Sequence, residues 1–500
     1  MLLRPQLDDY KVIGYYIGKV IIGIGLLMLL PLAVSLGFSE WNVVLDFVIG
    51  IAACLIAGYA FVLLCYTEKD LKWTHGMVVA SLSWLFIMCL GAIPYWLSRH
   101  FKYYIDACFD LMSGTTTTGL SLLQDLDHIS MGLNTWRHLL TYVGGQGMVV
   151  VALTFLVRGS AGAYKMYVGE GKEERLLPNV IETSRTIWAI SLIYLVLGST
   201  ALWITGLFQG LSVITALFHG LWLFMGAWST GGFAPQSQNL LYYHSLTIEL
   251  ITLSVFILGS LNFALHYAIW TGNRREIYKN IEIISFTLTV SITFILTAVG
   301  LMRLGVYPDL MALFRKGFYQ IASAHTTTGN MTVYARQFVR EWGPLAMFGT
   351  SIAMAIGASA CSTGGGFKNL RMGIITKAMF HDIRRLISPE SQMIVQRFHH
   401  IKDVVLEDRH VRAAMLVVLT YILVYVLGTA AGMLYGYPFS EALFDAVSAG
   451  SNTGLTCGVT SPEMPLGLKL VYIFEMWSGR LEFMSVFALL GFIASIFRGK

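Results

Sequence analysis

The sequence predicts an all-α polytopic membrane protein: four repeats of span, short helix and span in a pseudo-fourfold arrangement, after two extra N-terminal spans. Three observations predict it: an apolar composition, recurring apolar stretches of spanning length, and one motif that occurs four times. Hydrophobic residues make up 56% of the 500 positions, charged residues 13%, and the mean hydropathy is +0.65. Such values lie outside the range of soluble domains, so we expect the lipid bilayer to surround most of the chain.

Apolar stretches near the ~20 residues that cross a bilayer indicate about ten transmembrane helices. They cover residues 12–35, 43–66, 76–97, 138–157, 186–207, 246–271, 283–302, 344–361, 412–434 and 467–496. The first stretch is too long for a signal peptide and a second span follows it directly, so we expect the N-terminus to stay attached.

The basic residues predict the orientation of the spans. Most lysines and arginines lie in the two terminal segments or in four connections, near residues 66–75, 158–185, 272–281 and 368–412. Because positively charged loops remain on the cytoplasmic side, we expect both termini to be cytoplasmic, in the inner membrane. The net charge of +5 then reflects this topology, and we expect no nucleic-acid partner.

A Thr-Gly dipeptide recurs four times, and each copy follows a helix-compatible segment of about ten residues that is too short to cross a bilayer. A small polar residue stands two positions before each glycine. The candidate site residues are Thr117, Thr118 and Gly119; Ser229, Thr230 and Gly231; Thr327, Thr328 and Gly329; and Asn452, Thr453 and Gly454.

These repeats divide the chain into six parts. They are an N-terminal pair of helices at 1–70, repeats at 71–165, 175–275 and 276–385, a cytoplasmic linker at 386–410, and a fourth repeat at 411–500. Irregular backbone at membrane depth is tolerated only inside protein or beside a water-filled cavity, so we expect the four turns to surround one cavity. Helix C-terminal ends and successive carbonyls would favour a dehydrated cation there. One such dipeptide is easily a chance occurrence, because threonine also bonds helix carbonyls; four are not.

A run of small residues, 357–366, interrupts the apolar stretch from about 344 to 378. It cannot remain a regular helix at low cost, so it is either a kink or an intramembrane loop beside the cavity. Arg480 lies within an apolar span and needs a partner or water. It either faces the cavity, with loop carbonyls as partners, or is tied laterally to Glu482.

The turns carry a family resemblance, with TTTTGLS at 115–121, STGGF at 229–233, HTTTGN at 325–330 and SNTGL at 451–455. The following spans add GGQG at 144–147, LGSLNF at 258–263, GASACSTGGG at 357–366 and SGRLEF at 478–483. On these motifs the chain resembles the Trk/Ktr/HKT superfamily of potassium transporters over nearly its whole length. Its two N-terminal spans favour the TrkH-type membrane subunit over the shorter Ktr subunits.

The resemblance implies potassium uptake through a channel-like pore, with K⁺ bound at the four turns as the transported ion and no organic cofactor. In this family a glycine in all four turns goes with potassium, and a serine in the first turn goes with sodium. It also implies a homodimer in which each protomer has its own pore, and a cytosolic nucleotide-binding regulatory subunit of the TrkA type. The intramembrane loop would be the gate, with the candidate residues Gly357, Ser359, Ser362, Thr363, Gly364, Gly365, Gly366 and Arg480.

Other function classes fit less well. An enzyme would need converging groups such as an HExxH helix or a carboxylate pair, so we expect no enzymatic activity. A Ktr-type or sodium-coupled cation transporter is an alternative. An alternating-access transporter would have inverted repeats around a midplane site, and four repeats of the same sense argue against it.

Two sets of polar residues near the turns have an open role. His325 is either a hydrogen-bonded helix-end residue or a group that confers pH dependence. Five acids cluster around two of the turns and either concentrate cations at the extracellular mouth or are ordinary solvated or helix-end residues. They are Asp106, Asp110, Asp125, Asp127 and Asp445. The basic stretch 368–412 would dock the regulatory ring or contact anionic lipid head groups.

Overall fold

The computed structural model describes residues 4–147, 166, 168, 180–389, 392 and 395–499. Helices dominate this part of the chain. In order they are α1 (Leu7–Leu27), α2 (Leu29–Gly37), α3 (Trp41–Leu64), α4 (Trp73–Gly91), α5 (Ile93–Leu97), α6 (Tyr104–Thr115), α7 (Met131–Gln146), α8 (Val180–Phe208), α9 (Val213–Trp228), α10 (Leu246–Gly259), α11 (Phe263–Trp270), α12 (Glu276–Lys279), α13 (Ile281–Arg303), α14 (Leu310–Ala312), α15 (Tyr319–His325), α16 (Ala335–Gln337), α17 (Gly343–Ile356), α18 (Asn369–Ile387), α19 (Asp408–Leu434), α20 (Phe439–Gly450), α21 (Leu466–Arg480) and α22 (Met484–Arg498).

Three shorter helical segments and one hairpin complete the described elements. Asn239–Tyr243 is a 3₁₀ turn, whereas Leu313–Phe318 and Phe338–Trp342 are π-helical. Strands β1 (Arg397–His400) and β2 (Lys402–Val405) pair antiparallel between α18 and α19.

Six helical stretches of the described residues are long and apolar enough to cross a membrane, and eight if each of two bent pairs counts as one span. The predicted all-α polytopic membrane fold is therefore confirmed. The predicted span 138–157 continues past residue 147 and so lies partly outside the described residues. The predicted span 344–361 begins as α17 but stops at Ile356, because a glycine follows there with φ +76°.

The N-terminal pair of spans packs through small residues. A Cβ added at Gly18 of α1 would lie 2.7 Å from the Gly58 carbonyl oxygen of α3. Such close backbone approach is typical of helix pairs in membranes, where dispersion contacts replace the hydrophobic effect.

Four short buried helices, α6, α9, α15 and α20, each end at one of the four turns. In three repeats the last carbonyl of the short helix touches a glycine of the following span. A Cβ added to that glycine would lie 1.9 Å from the Thr115 oxygen at Gly144, 2.1 Å from the Trp228 oxygen at Gly259, and 2.0 Å from the Gly450 oxygen at Gly479. The motifs GGQG, LGSLNF and SGRLEF therefore contain the glycines that let each span pass directly behind its turn.

The spans that follow the turns change direction close to those glycines. The axes of α10 and α11 differ by 98°, and those of α21 and α22 by 111°. In the third repeat the chain leaves the helix altogether from residue 357 to 368, between α17 and α18. The run of small residues is thus a loop, and more than a kink.

Candidate functional site

The four turns follow one backbone path, in which a residue in the left-handed region is followed by an intervening residue and then by a left-handed glycine. The first left-handed residues have φ +55° at Thr117, +50° at Thr230, +55° at Thr327 and +57° at Asn452. The glycines have φ +92° at Gly119, +62° at Gly232, +79° at Gly329 and +87° at Gly454. Glycine suits the last position because it has no Cβ to strain that conformation.

This geometry corrects the sequence alignment of the second repeat by one residue. In every turn the N–H of the intervening residue donates to the carbonyl five residues earlier. The distances are 2.8 Å for Thr118 to Ser113, 2.9 Å for Gly231 to Gly226, 2.8 Å for Thr328 to Ser323 and 2.9 Å for Thr453 to Ser448. Gly232, and not Gly231, is therefore the counterpart of Gly119. The alignment was wrong because STGG offers two glycines and the Thr-Gly dipeptide selects the first.

With this register, the turns close into a ring. Each turn's glycine lies against the carbonyl oxygen of the intervening residue of the next turn, and the fourth lies against the first. A Cβ added to the glycine would stand 2.5 Å from that oxygen for Gly119 and Gly231, 2.2 Å for Gly232 and Thr328, 2.0 Å for Gly329 and Thr453, and 2.0 Å for Gly454 and Thr118. No side chain fits between neighbouring turns, so backbone carbonyls of all four repeats meet at one place.

The ring residues are buried and their hydroxyl groups bond one another or the backbone. Thr116 Oγ1 lies 2.8 Å from Thr118 Oγ1, and Ser451 Oγ lies 2.7 Å from Thr453 Oγ1. Ser229, displaced by the new register, aligns with Thr116, and its Oγ donates to the Met225 carbonyl at 2.6 Å. A neutral ring of carbonyls at four helix C-terminal ends favours a cation without any formal negative charge.

Asn452 departs from the threonine of the other three turns. Its Nδ2 donates to Thr118 Oγ1 at 3.0 Å and to the Met476 carbonyl at 2.8 Å. The fourth turn is therefore joined to the first by a side chain as well as by backbone contact.

The loop 357–368 lies across one side of the ring. Thr363 Oγ1 stands 3.1 Å from Thr230 Oγ1, 2.8 Å from the Gly259 oxygen and 3.1 Å from the Trp228 oxygen. The N–H of Gly365 donates to Thr327 Oγ1 at 2.8 Å. The loop thus contacts the second and third turns at the residue that begins each ring segment.

The first and fourth turns touch the loop as well. Thr117 Oγ1 lies 3.5 Å from the Thr363 carbonyl oxygen. A Cβ added at Gly365 would stand 2.1 Å from the Ser451 oxygen. All four turns are therefore in contact with Thr363 or Gly365.

The other predicted loop residues shape its backbone. Gly357 and Gly366, at φ +76° and +78°, bring the two ends of the loop together, with 2.7 Å between an added Cβ on one and the Cα of the other. Ser359 N–H donates to the Ser260 carbonyl at 3.0 Å. Ser362 Oγ donates to the Ser359 carbonyl at 2.7 Å and accepts from the Gly364 N–H at 3.3 Å.

Arg480 faces the loop, as one of the two sequence-based readings predicted. Its Nη1 donates to the Thr363 carbonyl at 2.6 Å. Its Nη2 donates to the carbonyls of Gly144 at 2.7 Å and Gly145 at 3.1 Å. One guanidinium of the fourth repeat therefore joins the loop of the third repeat to the first repeat.

Sequence reasoning missed two cations beside the loop. Glu482 pairs with the Arg371 guanidinium and lies 3.9 Å from Lys368 Nζ. The Lys368 ammonium also donates to the Gly364 carbonyl. Their position directly after the glycine run was the available signal.

His325 and the five acids take definite places. His325 ends α15, and its Nε2 lies 2.8 Å from Thr289 Oγ1, which is the helix-end arrangement. Asp125 and Asp127 are the members of the acidic set that lie at the surface. Asp106 is paired with Lys469 Nζ at 2.7 Å, and Asp110 and Asp445 are fully buried.

Comparison with known proteins places this arrangement in a family. The family model described as TrkH, cation transport protein, matches residues 45–494. An uncharacterized cation transporter of Methanocaldococcus jannaschii is 32% identical over 98% of this chain and 97% of its own length. The Trk system potassium uptake protein TrkG of Escherichia coli is 26% identical, over 96% and 97%.

A solved structure shares the fold. The crystal structure of the potassium transporter TrkH from Vibrio parahaemolyticus superposes with a TM-score of 0.80 at 24% identity, over 96% of this chain and 98% of that one. The resemblance inferred from the four turns is thereby confirmed, and the chain belongs to the TrkH family of cation transport proteins.

Proposed function

We propose that this chain takes up potassium ions across the cytoplasmic membrane through a channel-like pore whose selectivity filter is the ring of four turns. One observation carries the proposal: the four turns close into a ring in chain order, glycine against carbonyl at every junction. The relatives named as potassium uptake proteins support the choice of ion.

In this proposal K⁺ binds at the ring without any covalent chemistry. Carbonyl dipoles replace the hydration shell of the ion, and an inside-negative potential contributes about 2.3 kcal/mol per charge for each 100 mV. The filter residues are those predicted from the sequence, with Gly232 taking the role first given to Gly231: Thr117, Thr118, Gly119, Ser229, Thr230, Gly231, Gly232, Thr327, Thr328, Gly329, Asn452, Thr453 and Gly454.

The loop 357–366 is proposed as the gate. Thr363 sits against three turns, and the Arg480 charge bound to its carbonyl raises the barrier for a cation on the same path. For ions to pass, the loop would have to leave the ring and break the Arg480 and Thr363 hydrogen bonds. Ser359, Ser362 and the four glycines would let its backbone rearrange.

The remaining expectations belong to the same proposal. The protein would work as a homodimer in the inner membrane with both termini cytoplasmic. A nucleotide-binding regulatory subunit of the TrkA type would open the gate from the cytosol, where residues 368–412 supply basic side chains. The relatives carry the words "Trk system" in their names, which supports a multi-component assembly.

The proposal is tested by rubidium-86 uptake into liposomes that contain the purified chain and a potassium gradient. External potassium should compete with uptake and sodium should compete little. Gly119→Ser should lose this discrimination, because its Cβ would stand 2.5 Å from a ring carbonyl. Gly491→Ser is the matched control, since an added Cβ there meets nothing within 4 Å.

Two outcomes would overturn the proposal. Uptake that sodium and potassium inhibit equally in the wild type would remove the assignment of potassium. An absence of uptake even in a variant that lacks residues 357–366 would remove the pore.

A further inference from the structure

Three of the four short helices hold the chain that leaves their turn by the same hydrogen bond. A side-chain oxygen accepts the backbone N–H of the residue twelve positions later. The distances are 3.1 Å from Leu122 N to Asp110 Oδ1, 3.2 Å from Thr332 N to Gln320 Oε1 and 2.9 Å from Cys457 N to Asp445 Oδ1. We call this bond the latch, and the chain that it holds, just after the ring glycine, the limb.

Each latch has additional bonds to its limb. Ser121 Oγ donates to Asp110 at 2.6 Å, and Thr456 Oγ1 donates to Asp445 at 2.7 Å. Gln320 reaches its limb twice, because Nε2 also donates to the Asn330 carbonyl at 3.3 Å. All three latch residues have 0% exposure. Their side-chain oxygens are thus occupied by the limb, and they are not a cation-collecting surface.

The second repeat lacks both halves of the latch. In the corrected register the latch position is Leu223, which offers no acceptor, and the residue twelve positions later is Pro235, which has no N–H to donate. The joint absence of acceptor and donor is what the register predicts if the latch is a real unit.

Asparagines from elsewhere hold the second limb. Asn239 Nδ2 donates to the carbonyl of the ring glycine Gly232 at 3.1 Å, and Asn239 Oδ1 accepts from Met331 N at 3.2 Å. Asn134 Nδ2 donates to the Pro235 carbonyl at 3.3 Å. The second turn is therefore positioned from outside its own short helix.

We propose that Asp110, Gln320 and Asp445 are positioning residues for ion selectivity, which fix the carbonyl spacing of three turns and leave the second turn as the compliant one. The inference rests on the proposed function of the ring as a filter. Discrimination between cations of different size requires carbonyls that resist displacement. Each latch supplies this resistance close to a ring glycine, without touching the ion.

Gln320 gives the cleanest test because it is neutral. Asp110, in contrast, lies 3.6 Å from Arg137 Nε, also buried, so its replacement would leave a charge uncompensated. Gln320→Met has similar volume and removes the acceptor. Leu223→Met, at the same position of the unlatched repeat, is the matched control.

The readout is the ratio of sodium to potassium concentrations that halve rubidium-86 uptake into liposomes. We expect Gln320→Met to lower this ratio about tenfold, the change that one buried hydrogen bond of ordinary strength corresponds to, while uptake continues. Leu223→Met should leave it unchanged. A ratio equal to that of a selective wild type would overturn the inference and leave the proposed filter intact, whereas an unselective wild type would overturn the proposed filter itself.

A measurement on the wild type keeps the test valid if Gln320→Met does not fold. Amide hydrogen exchange should be slower at Leu122, Thr332 and Cys457, which donate to latches, than at Phe233 and Ala234 of the second limb. Equal rates in the two groups would overturn the inference.

Discussion

The two sides of the ring are held by different kinds of contact. On the limb side, three turns are tied by a latch within their own repeat, over twelve residues of chain. On the loop side, every tie joins different repeats. Thr363 of the third repeat contacts Trp228 and Gly259 of the second, and Arg480 of the fourth reaches Gly144 of the first.

This difference separates two physical tasks. A latch persists as long as its own repeat is folded, so it sets a fixed spacing of the ring. The ties on the loop side all pass through one short segment, so a single movement of residues 357–368 breaks many of them together. Selectivity would therefore depend on the limb side and opening on the loop side, and the following predictions test that division.

The largest effect is expected where the ring itself is disturbed. Gly232→Ala places a Cβ 2.2 Å from the Thr328 oxygen at φ +62°. Since backbone cannot yield there without moving the third turn, we expect loss of rubidium uptake or of its selectivity. The measurement is liposome uptake with sodium and potassium as competitors.

Gly231→Ala provides the comparison that tests the corrected register. Gly231 lies outside the left-handed region, and its added Cβ would meet the Cγ2 methyl of the Thr141 side chain at 2.2 Å. Removing that methyl in Gly231→Ala/Thr141→Ser should restore selective uptake. The same second change should not rescue Gly232→Ala. If it did, or if Gly231→Ala were the more damaging variant with Thr141→Ser present, the register would be wrong.

A smaller effect, and of opposite sign, is expected at Arg480. Arg480→Gln removes charge-assisted hydrogen bonds to the Thr363 and Gly144 carbonyls. Because a single such bond is worth about 1.5–3 kcal/mol, uptake without a regulatory subunit should rise about tenfold or more. The selectivity ratio should stay near that of the wild type. Arg303→Gln, at an exposed helix end, is the control.

An unchanged or lower uptake in folded Arg480→Gln would contradict the role of the loop side in opening. A tenfold loss of selectivity there would instead show that the two sides of the ring are not separate. Gel filtration and amide exchange of the variant would establish that it is folded.

Thr363 should show the same direction with a smaller size. Thr363→Val keeps the shape of the side chain but removes a hydroxyl that lies 2.8 Å from the Gly259 oxygen and 3.1 Å from Thr230 Oγ1. A neutral hydrogen bond contributes about 1 kcal/mol, so we expect a rise in uptake of about fivefold. Thr363→Ser retains the hydroxyl and should behave as the wild type. If the serine variant matched the valine variant, packing of the methyl group would be the operative contact.

The limb side could be predicted from the sequence more fully than it was. Four turns at regular spacing identified the ring, and the latch residues stand at a fixed position before each turn. Asp110 and Asp445 were instead assigned to a cation-collecting mouth, because a carboxylate in a sequence does not reveal whether backbone N–H groups surround it. The neutral Gln320 carried the better signal, since a mouth would not need an amide.

The loop side was less accessible to sequence reasoning. The glycine run and the intramembrane Arg480 marked its two components, but their partners lie in other repeats. Nothing near Arg480 in sequence indicates Gly144, whose carbonyl is exposed to it only because a glycine there lets the span pass behind Thr115. Contacts between repeats depend on ring closure, and a register error of one residue at Gly232 is enough to misplace them.

The smallest effect is expected farthest from the ring, at the β1–β2 hairpin. His399 lies 2.8 Å from Asp403 and 3.1 Å from Glu276 of α12. The hydrogen bond to Asp403, helped by Glu276, raises the pKa of His399 above its usual value. A raised pKa means that the contact stabilises fully below the usual value, about 6.5, and that this stabilisation is lost as the pH rises through the raised one.

The hairpin reaches the loop side through a short series of bonds. His400 Nδ1 lies 3.3 Å from Asn280 Oδ1, and nearby Glu282 accepts the Ala360 N–H of the loop at 2.6 Å. Amide exchange at 397–405, corrected for its intrinsic pH dependence, should therefore become about twofold to threefold faster from pH 6 to 8, as for other exposed ion pairs. His399→Gln should remove that change. If the variant kept it, another group would carry the pH dependence; if uptake at the ring changed as much as exchange at the hairpin, the loop side would be coupled to this surface more tightly than its few hydrogen bonds imply.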